Sequence, residues 1–483
     1  MVEVTEESAP RAAPRLDAVP GHVWRVAAVV IVGAFMTQLD AALVNVGLAT
    51  VARDLSASLS TTQWIVSAYL LALVIGLPLC GWASRRFGAS TVWTGALAAF
   101  TVASVLCAWA ASVEMLIAAR FLQGLAAGLL LPAGQTVIAH AAGRALMGRV
   151  MSTAGKALVL GPALWPVVGG ELLAHAAWPW LFLINVPVGV VGLWLGRRIL
   201  PRTGPSTGGE RTRFDATGFA LLGLALPAVT YATSGLAGPA DLGRVAVYGP
   251  LLVGVGGLAL FAVRARRSAA PLLDVRLFAG PAFRAAAVAS FLAGAVQFGS
   301  LVIWALYFQF VRGYDVVGAG LAMAGFALGA ALLPVTGRLT DRHGGGPVAL
   351  GGAVLTTATL LPMAVLPAST GLGVLEACLF LLGVANACSV VPVSTAAYVS
   401  IEPRSVPDAV TIINIFLRLG GAVGAALLVA VLDGGSAGGT AGGGAGAAAG
   451  IGGFHAAFWC LTGLGVLSMA ACGALTASAR RGR

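Results

Sequence analysis

The sequence predicts an all-α integral membrane protein with fourteen transmembrane helices, arranged as two six-helix halves with two inserted helices between them. Three observations carry this prediction. Hydrophobic residues make up 58% of the 483 and charged residues 10%, whereas a soluble domain runs near a quarter charged. Apolar runs of about 20 residues, the length that crosses a hydrocarbon core, recur along the chain. The basic residues fall into short loops on one side of those runs. That distribution also excludes nucleic acid as the reason for a net charge of +11, since the arginines form no continuous patch.

The elements follow in order. Residues 1–23 are polar, carry both charge signs, and read as a disordered cytoplasmic tail. No short apolar region with a cleavage site precedes Trp24, so the first apolar run is a retained helix. The expected spans are about 24–47, 62–82, 91–111, 115–139, 151–173 and 178–197, then 215–236 and 245–263. The last six are about 284–311, 317–337, 348–367, 372–397, 409–432 and 454–476. Most contain Gly or Pro, which neighbouring helices make tolerable in a membrane. The low-complexity Gly/Ala stretch at 434–453 reads as a flexible outside connector.

Charge tests this count. With the N-terminus inside, only Arg53, Arg244 and Arg312 of the 29 basic residues fall in outside loops. Arg120, Lys156 and Arg418 fall within spans, and all the others face inside. A missed helix would have scrambled the split, so both termini are expected in the cytoplasm. The six cysteines all lie in apolar runs without CxxC or metal-ligand spacing, and read as small buried hydrophobes. No metal site, cofactor site or catalytic set is expected.

An internal repeat defines the halves. The turn after span 2 reads Gly81-Trp-Ala-Ser-Arg85-Arg-Phe-Gly88, and that after span 10 reads Gly337-Arg-Leu-Thr-Asp341-Arg-His-Gly344. Both are basic turns with Gly at the same two offsets. The expected organisation is a tail at 1–23, a six-helix half at 24–198, and a linker with two helices at 199–283. A second six-helix half at 284–476 and a tail at 477–483 complete it. Repeated halves are the signature of secondary transporters, whose substrate site lies between them. No GxxxxGK[ST] run is present, which argues against ATP-driven transport.

Five motifs in order sharpen this reading: Leu39-Asp40-Ala-Ala-Leu-Val-Asn45-Val in span 1, Gln63-Trp64-Ile-Val-Ser-Ala-Tyr69-Leu in span 2, and Arg120-Phe-Leu-Gln123-Gly124 through Gly128 and Pro132 in span 4. Gly161-Pro162 with Gly169-Gly170 mark span 5, and Trp180-Leu-Phe182-Leu-Ile-Asn185-Val-Pro187-Val-Gly189 marks span 6. With these, the chain resembles the major facilitator superfamily, and specifically its fourteen-span drug:proton antiporters of the EmrB/QacA type, over residues 24–476. The resemblance implies a proton-coupled efflux transporter that exports hydrophobic small molecules by alternating access across the inner (cytoplasmic) membrane, and no enzymatic activity. A monomer is expected, with protons, a small-molecule substrate and the lipid bilayer as its partners and no nucleic acid. The alternatives are a dedicated exporter of one metabolite or lipid, and a non-transporting sensor or assembly factor. Three positions depart from the family pattern: Arg85 stands where Asp is usual, Trp165 where Gly is usual, and Leu417-Arg418 where Arg-Gln is usual.

Asp40 leads the candidate residues. A carboxylate in mid-span costs about 2.5–3.5 kcal/mol to insert, and is a functional hypothesis by default. Arg120 lies at a reachable depth and would couple proton release to movement, with Asp40 as the proton carrier. Trp64, Tyr69, Gln123, Trp165, Glu171 and Arg418 are the candidates for a substrate cavity, with Phe35, Phe298, Trp304, Tyr307 and Phe308 as further aromatic lining. Fixed cations with few acids suit anionic or neutral substrates better than dications. Gly88, Gly161, Pro162, Gly169, Gly170 and Asp341 are expected to serve conformational change. Asp408, at the start of span 13, is expected to pair with Arg85 as a charge-swapped closure of the cytoplasmic side.

Overall fold

Sixteen helices are seen in the computed structural model, which describes residues 19–201, 213–236, 244–268, 270–434 and 451–481. The side chains of residues 156–170 lie outside that description, as do the first 18 residues and most of the Gly/Ala stretch. The helices are α1 (Gly21–Asp54), α2 (Leu59–Phe87), α3 (Ala89–Ala108), α4 (Val113–His175), α5 (Trp180–Leu183) and α6 (Asn185–Ile199). Then come α7 (Ala216–Leu236), α8 (Arg244–Arg267), α9 (Pro281–Leu306), α10 (Val316–Ala322), α11 (Ala324–Ala330) and α12 (Leu333–His343). The chain closes with α13 (Gly345–Met363), α14 (Leu372–Val399), α15 (Val406–Gly434) and α16 (Ile451–Arg481). Thirteen stretches among the described residues are long and apolar enough to cross a membrane.

The difference from fourteen lies in α4. At 63 residues it is too long for one crossing, and its backbone leaves helical geometry at Gly143, where φ is 63°. Expected spans 4 and 5 are the two sides of that break. The opposite happens where one crossing is made of pieces. Helices α10, α11 and α12 together make the crossing Gly318–His343, and α5 with α6 makes Trp180–Ile199. The first helix starts at Gly21, so residues 21–23 belong to it rather than to the tail. Likewise Gly434 closes α15, and Ile451 opens α16.

Close backbone contact builds each half. A side chain at Gly124 of α4 would collide with the carbonyl of Tyr69 on α2, and one at Gly128 with that of Leu73. Here the small residues let two helix backbones touch, the usual means of helix association where lipid offers no hydrophobic driving force. In the second half, Gly294 of α9 and Gly420 of α15 meet the carbonyls of Leu417 and Phe291 in the same way. The inserted pair α7–α8 packs on itself and sets α7 against α2 of one half and α15 of the other.

The repeat is visible in the backbone. Gly88 ends α2 at φ 83°, ψ 140°, and Gly344 ends α12 at φ 86°, ψ 156°. Their N–H groups donate to Ser84 and Thr340, each four residues back, at 2.9 and 2.8 Å. Both positions need the left-handed region that only Gly adopts at little cost.

Candidate functional site

Inside the first half, a buried polar cluster forms around Asp40 of α1. Arg120 Nη1 on α4 donates to Asp40 Oδ2 at 2.5 Å, making an ion pair whose side chains are fully shielded. Gln123 Nε2 and Asn185 Nδ2 each donate to Asp40 Oδ1 at 3.0 Å. Arg120 Nη1 also donates to Gln123 Oε1 at 2.6 Å, and its Nε to the Ile65 carbonyl at 3.3 Å. Gln123 donates in addition to Ser104 Oγ at 2.8 Å. The Arg120 guanidinium lies 4.2 Å from the Tyr69 ring centroid and 5.8 Å from that of Phe182. Helices α1, α2, α3, α4 and α6 thus all meet at this point. Arg120 and Gln123, three residues apart, reach it from one face of α4.

Two acceptor oxygens with three converging N–H donors suit a carboxylate, which only accepts. Such a cluster is costly to break. Removing one partner of a buried ion pair strands the other charge, at about 3–5 kcal/mol.

The two halves also touch at the end of the bundle that carries the basic turns. Arg85 of α2 forms an ion pair with Asp408 of α15, and its Nη2 donates to the Leu272 carbonyl at 3.1 Å. The second contact is built on α12 and α4. Asp341 accepts the backbone N–H groups of Gly148 and Arg149 at 2.8 and 3.2 Å, and forms an ion pair with the Arg149 side chain, whose Nε lies 3.2 Å away. Arg144 donates to the Ile401 carbonyl at 2.9 Å, and Asn414 to Gln135 Oε1 at 2.7 Å. The chain therefore joins α2 to α15 and α4 to α12 by the same device at the two repeated turns.

The remaining candidates are placed differently from one another. Tyr69 and Gln123 are buried in the Asp40 cluster rather than lining an open cavity. Trp64 is 49% exposed, apart from that cluster. Glu171 is also exposed, and among the described residues it pairs with His175 on the next turn, at 3.4 Å. Trp304, Tyr307 and Phe308 are core: they pack on one another and on Phe454 and Phe458 with ring centroids 5.4–6.2 Å apart. Phe298 is 40% exposed. Gly161, Pro162, Trp165, Gly169 and Gly170 lie on α4, but their side chains fall outside the described residues. Arg418 is partly buried on α15, one turn beyond Asn414, which meets Gln135 of the first half.

Asn185, Ser104 and Arg149 join these sites without having been singled out. Asn185 carried a signal, being a lone amide in an apolar span. Arg149 carried none beyond its place in a basic loop.

Outside the spans, Asp215 precedes α7 and binds the inserted pair together. Burial pushes its carboxyl up, but the Gly218 N–H, the Arg264 guanidinium and the Leu272 backbone outweigh this and hold it below the usual carboxylate value. Arg264 Nη2 on α8 lies 3.0 Å from Asp215 Oδ1.

A bundle of two repeated helical halves, with one buried ion pair inside and paired contacts at one end, defines a multi-pass membrane protein built like a secondary transporter. The model of the Major Facilitator Superfamily matches residues 30–425, and the chain belongs to that family. It is 31% identical over 433 residues to the multidrug resistance protein B homolog of Mycobacterium tuberculosis, covering 88% of this chain and 80% of that one. It is 32% identical over 408 residues to the methylenomycin A resistance protein of Streptomyces coelicolor, covering 82% and 83%. The fold resembles that of the proton:xylose symporter XylE, with a TM-score of 0.64 at 16% identity, covering 93% of this chain and 94% of that one.

Proposed function

We propose that this protein is a proton-coupled efflux transporter that exports hydrophobic small molecules by alternating access. The observation that carries this reading is the Asp40–Arg120 pair, a carboxylate deep in a membrane bundle with its counter-charge on another helix. Protonating Asp40 removes the charge that Arg120 pairs with and frees Arg120, Gln123 and Asn185 to change partners. A proton arriving from one side thereby loosens contacts among α1, α4 and α6, and its release restores them. The relatives named for drug and antibiotic resistance support export as the direction.

The basic end of the bundle faces the cytoplasm in this reading, with both termini there, in the inner membrane of the cell, and a monomer suffices for transport. The Arg85–Asp408 and Arg149–Asp341 contacts then close the cytoplasmic side. Boundaries near residues 198 and 284 separate the moving halves from the inserted pair.

The test is proton efflux from acidified inverted membrane vesicles, read by a pH-sensitive dye as neutral, anionic and cationic hydrophobic compounds are added. Alkalinisation of the vesicle lumen in wild type that vanishes in Asp40→Asn is the expected result. A response that survives Asp40→Asn moves the proton site elsewhere. Silence with every compound, alongside a responding relative as control, overturns the efflux reading.

A further inference from the structure

We propose that Arg418 is the receptor for a negatively charged group on the transported molecule, which makes the substrate an amphipathic anion such as a carboxylate on an apolar body. This rests on the transport reading above and adds to it the substrate's charge.

Placement comes first. Arg418 lies twelve residues after Val406, the first residue of α15, or about 18 Å along the axis at 1.5 Å per residue. That is within the hydrocarbon core. Asp408, Thr411 and Asn414 precede it on the helix and all touch the first half. Asp408 meets Arg85, Asn414 meets Gln135, and Thr411 Oγ1 would lie 3.4 Å from a side chain at Gly81. Residues 411, 414 and 418 share one helical face, so Arg418 meets the first half one turn further in. Its electrostatic neighbour there is Tyr69, whose ring also carries Arg120 at 4.2 Å. Arg418 keeps part of its surface accessible at this depth.

Charge comes second. The chain has 18 acidic residues, and those in helices are accounted for one by one. Asp40 is held by Arg120, Asp341 by Arg149 and Asp408 by Arg85. Glu114 lies in the first turn of α4, Glu376 is the fifth residue of α14, Glu171 is the fifth from the end of α4, and Asp54 and Asp433 lie in the last turns of α1 and α15. None of these ends is at the depth of Arg418. Among the described residues no ion pair includes Arg418.

A guanidinium in the membrane interior without a counter-charge is expensive, and such residues are found where they line a pathway or bind something. Its planar fork of N–H donors matches carboxylate and related oxyanions in a bidentate manner. Tyr69, which packs on Arg120 in the Asp40 cluster, lies within electrostatic range of Arg418, so an anion drawn to Arg418 bears on the proton site. Exporting a monoanion in exchange for one entering proton moves two charges across the membrane per cycle, so the membrane potential drives it. Exporting a monocation the same way moves none.

The experiment uses the full chain in nanodiscs of zwitterionic lipid with three probes of one shape: 9-anthracenecarboxylate, its neutral carboxamide and the cationic 9-anthracenylmethylammonium. Wild type is expected to bind the carboxylate at least tenfold more tightly than the amide. Arg418→Gln should bring the carboxylate down to the level of the amide and leave the amide unchanged. Arg418→Lys, which keeps the charge, should retain most of the preference and shows that the position tolerates substitution. Equal or absent binding of the carboxylate in wild type, or a preference that persists in Arg418→Gln, overturns the proposal. Vesicle transport separates the two readings. If the carboxylate preference holds but no compound elicits proton movement, the efflux reading fails and the anion site stands. If neutral compounds are exported but the carboxylate is not preferred, the anion site fails and the efflux reading stands.

Discussion

Arg85 and Asp341 occupy the same offset in the two repeated turns, yet they carry opposite charges and each reaches across to the other half. Arg85 pairs with Asp408 and Asp341 with Arg149. As a result, both guanidinium groups come from the first half and both carboxylates from the second. The two halves present complementary charge at this end, and each contact attracts whichever carboxylate of the second half comes near.

Charge reversal tests the first contact directly. Arg85→Asp or Asp408→Arg alone places like charges together in a nearly buried site, where losing a partner costs about 3–5 kcal/mol. Each single variant is expected to lower transport at least tenfold in vesicles. The double reversal should recover most of it. A double variant as poor as the singles removes this contact from the transport cycle.

Truncating the Asp40 cluster should divide stability from coupling. Arg120→Ala strands Asp40 without a counter-charge and is expected to lower the thermal midpoint of the solubilised protein sharply. Pairing Asp40→Asn with Arg120→Gln removes both charges, so the double variant should be more stable than Arg120→Ala alone. It should still fail to couple protons. A double variant less stable than Arg120→Ala would mean that the ion pair is not what holds these helices together.

Gly88 and Gly344 should both resist substitution. Each holds a φ above 80°, and an L-residue there is strained by about 1–2 kcal/mol. Gly88→Ala and Gly344→Ala are each expected to lower the melting temperature by a few degrees, with Gly95→Ala, which has open space around it, as the control. Equal melting of all three would show that the turns relax freely.

Acid should weaken the inserted pair through Asp215. Its carboxyl is held below the usual value in the fold, so it binds protons more readily when unfolded. Its stabilising contribution is full above the unfolded value of about 3.9 and fades as pH falls through the lower folded value. Thermal unfolding of wild type should therefore fall more steeply below about pH 4 than that of Asp215→Asn. Parallel curves would remove Asp215 from the balance.

Much of this protein is legible from the chain alone because the bilayer imposes local rules. Length and polarity of each apolar run, and the side on which the arginines fall, required no knowledge of neighbours. Thus the crossings, the repeated turns at Gly81–Gly88 and Gly337–Gly344, and Asp40 and Arg120 as buried charges could all be read in order. So could the complementary charges of Arg85 and Asp408, because an arginine had replaced an acid and an acid stood at the start of another helix.

What only the tertiary structure decided is which way each side chain faces. In a soluble helix the apolar stripe marks the core, but lipid is as apolar as the protein interior, so a membrane helix is hydrophobic all round and its rotation leaves little trace in sequence. Trp64 and Trp304 look alike in their apolar runs, and packing alone exposes the first and buries the second against Phe308 and Phe458. Packing likewise turns Asn185 and Ser104 toward the Asp40 cluster, closes Asp341 onto Arg149, and sets Arg120 over the Tyr69 ring. The chain by itself set how many times it crosses and where its charges lie. The contacts among helices set which of those charges meet, because a residue's angle about its helix axis is determined by its neighbours and not by its own segment.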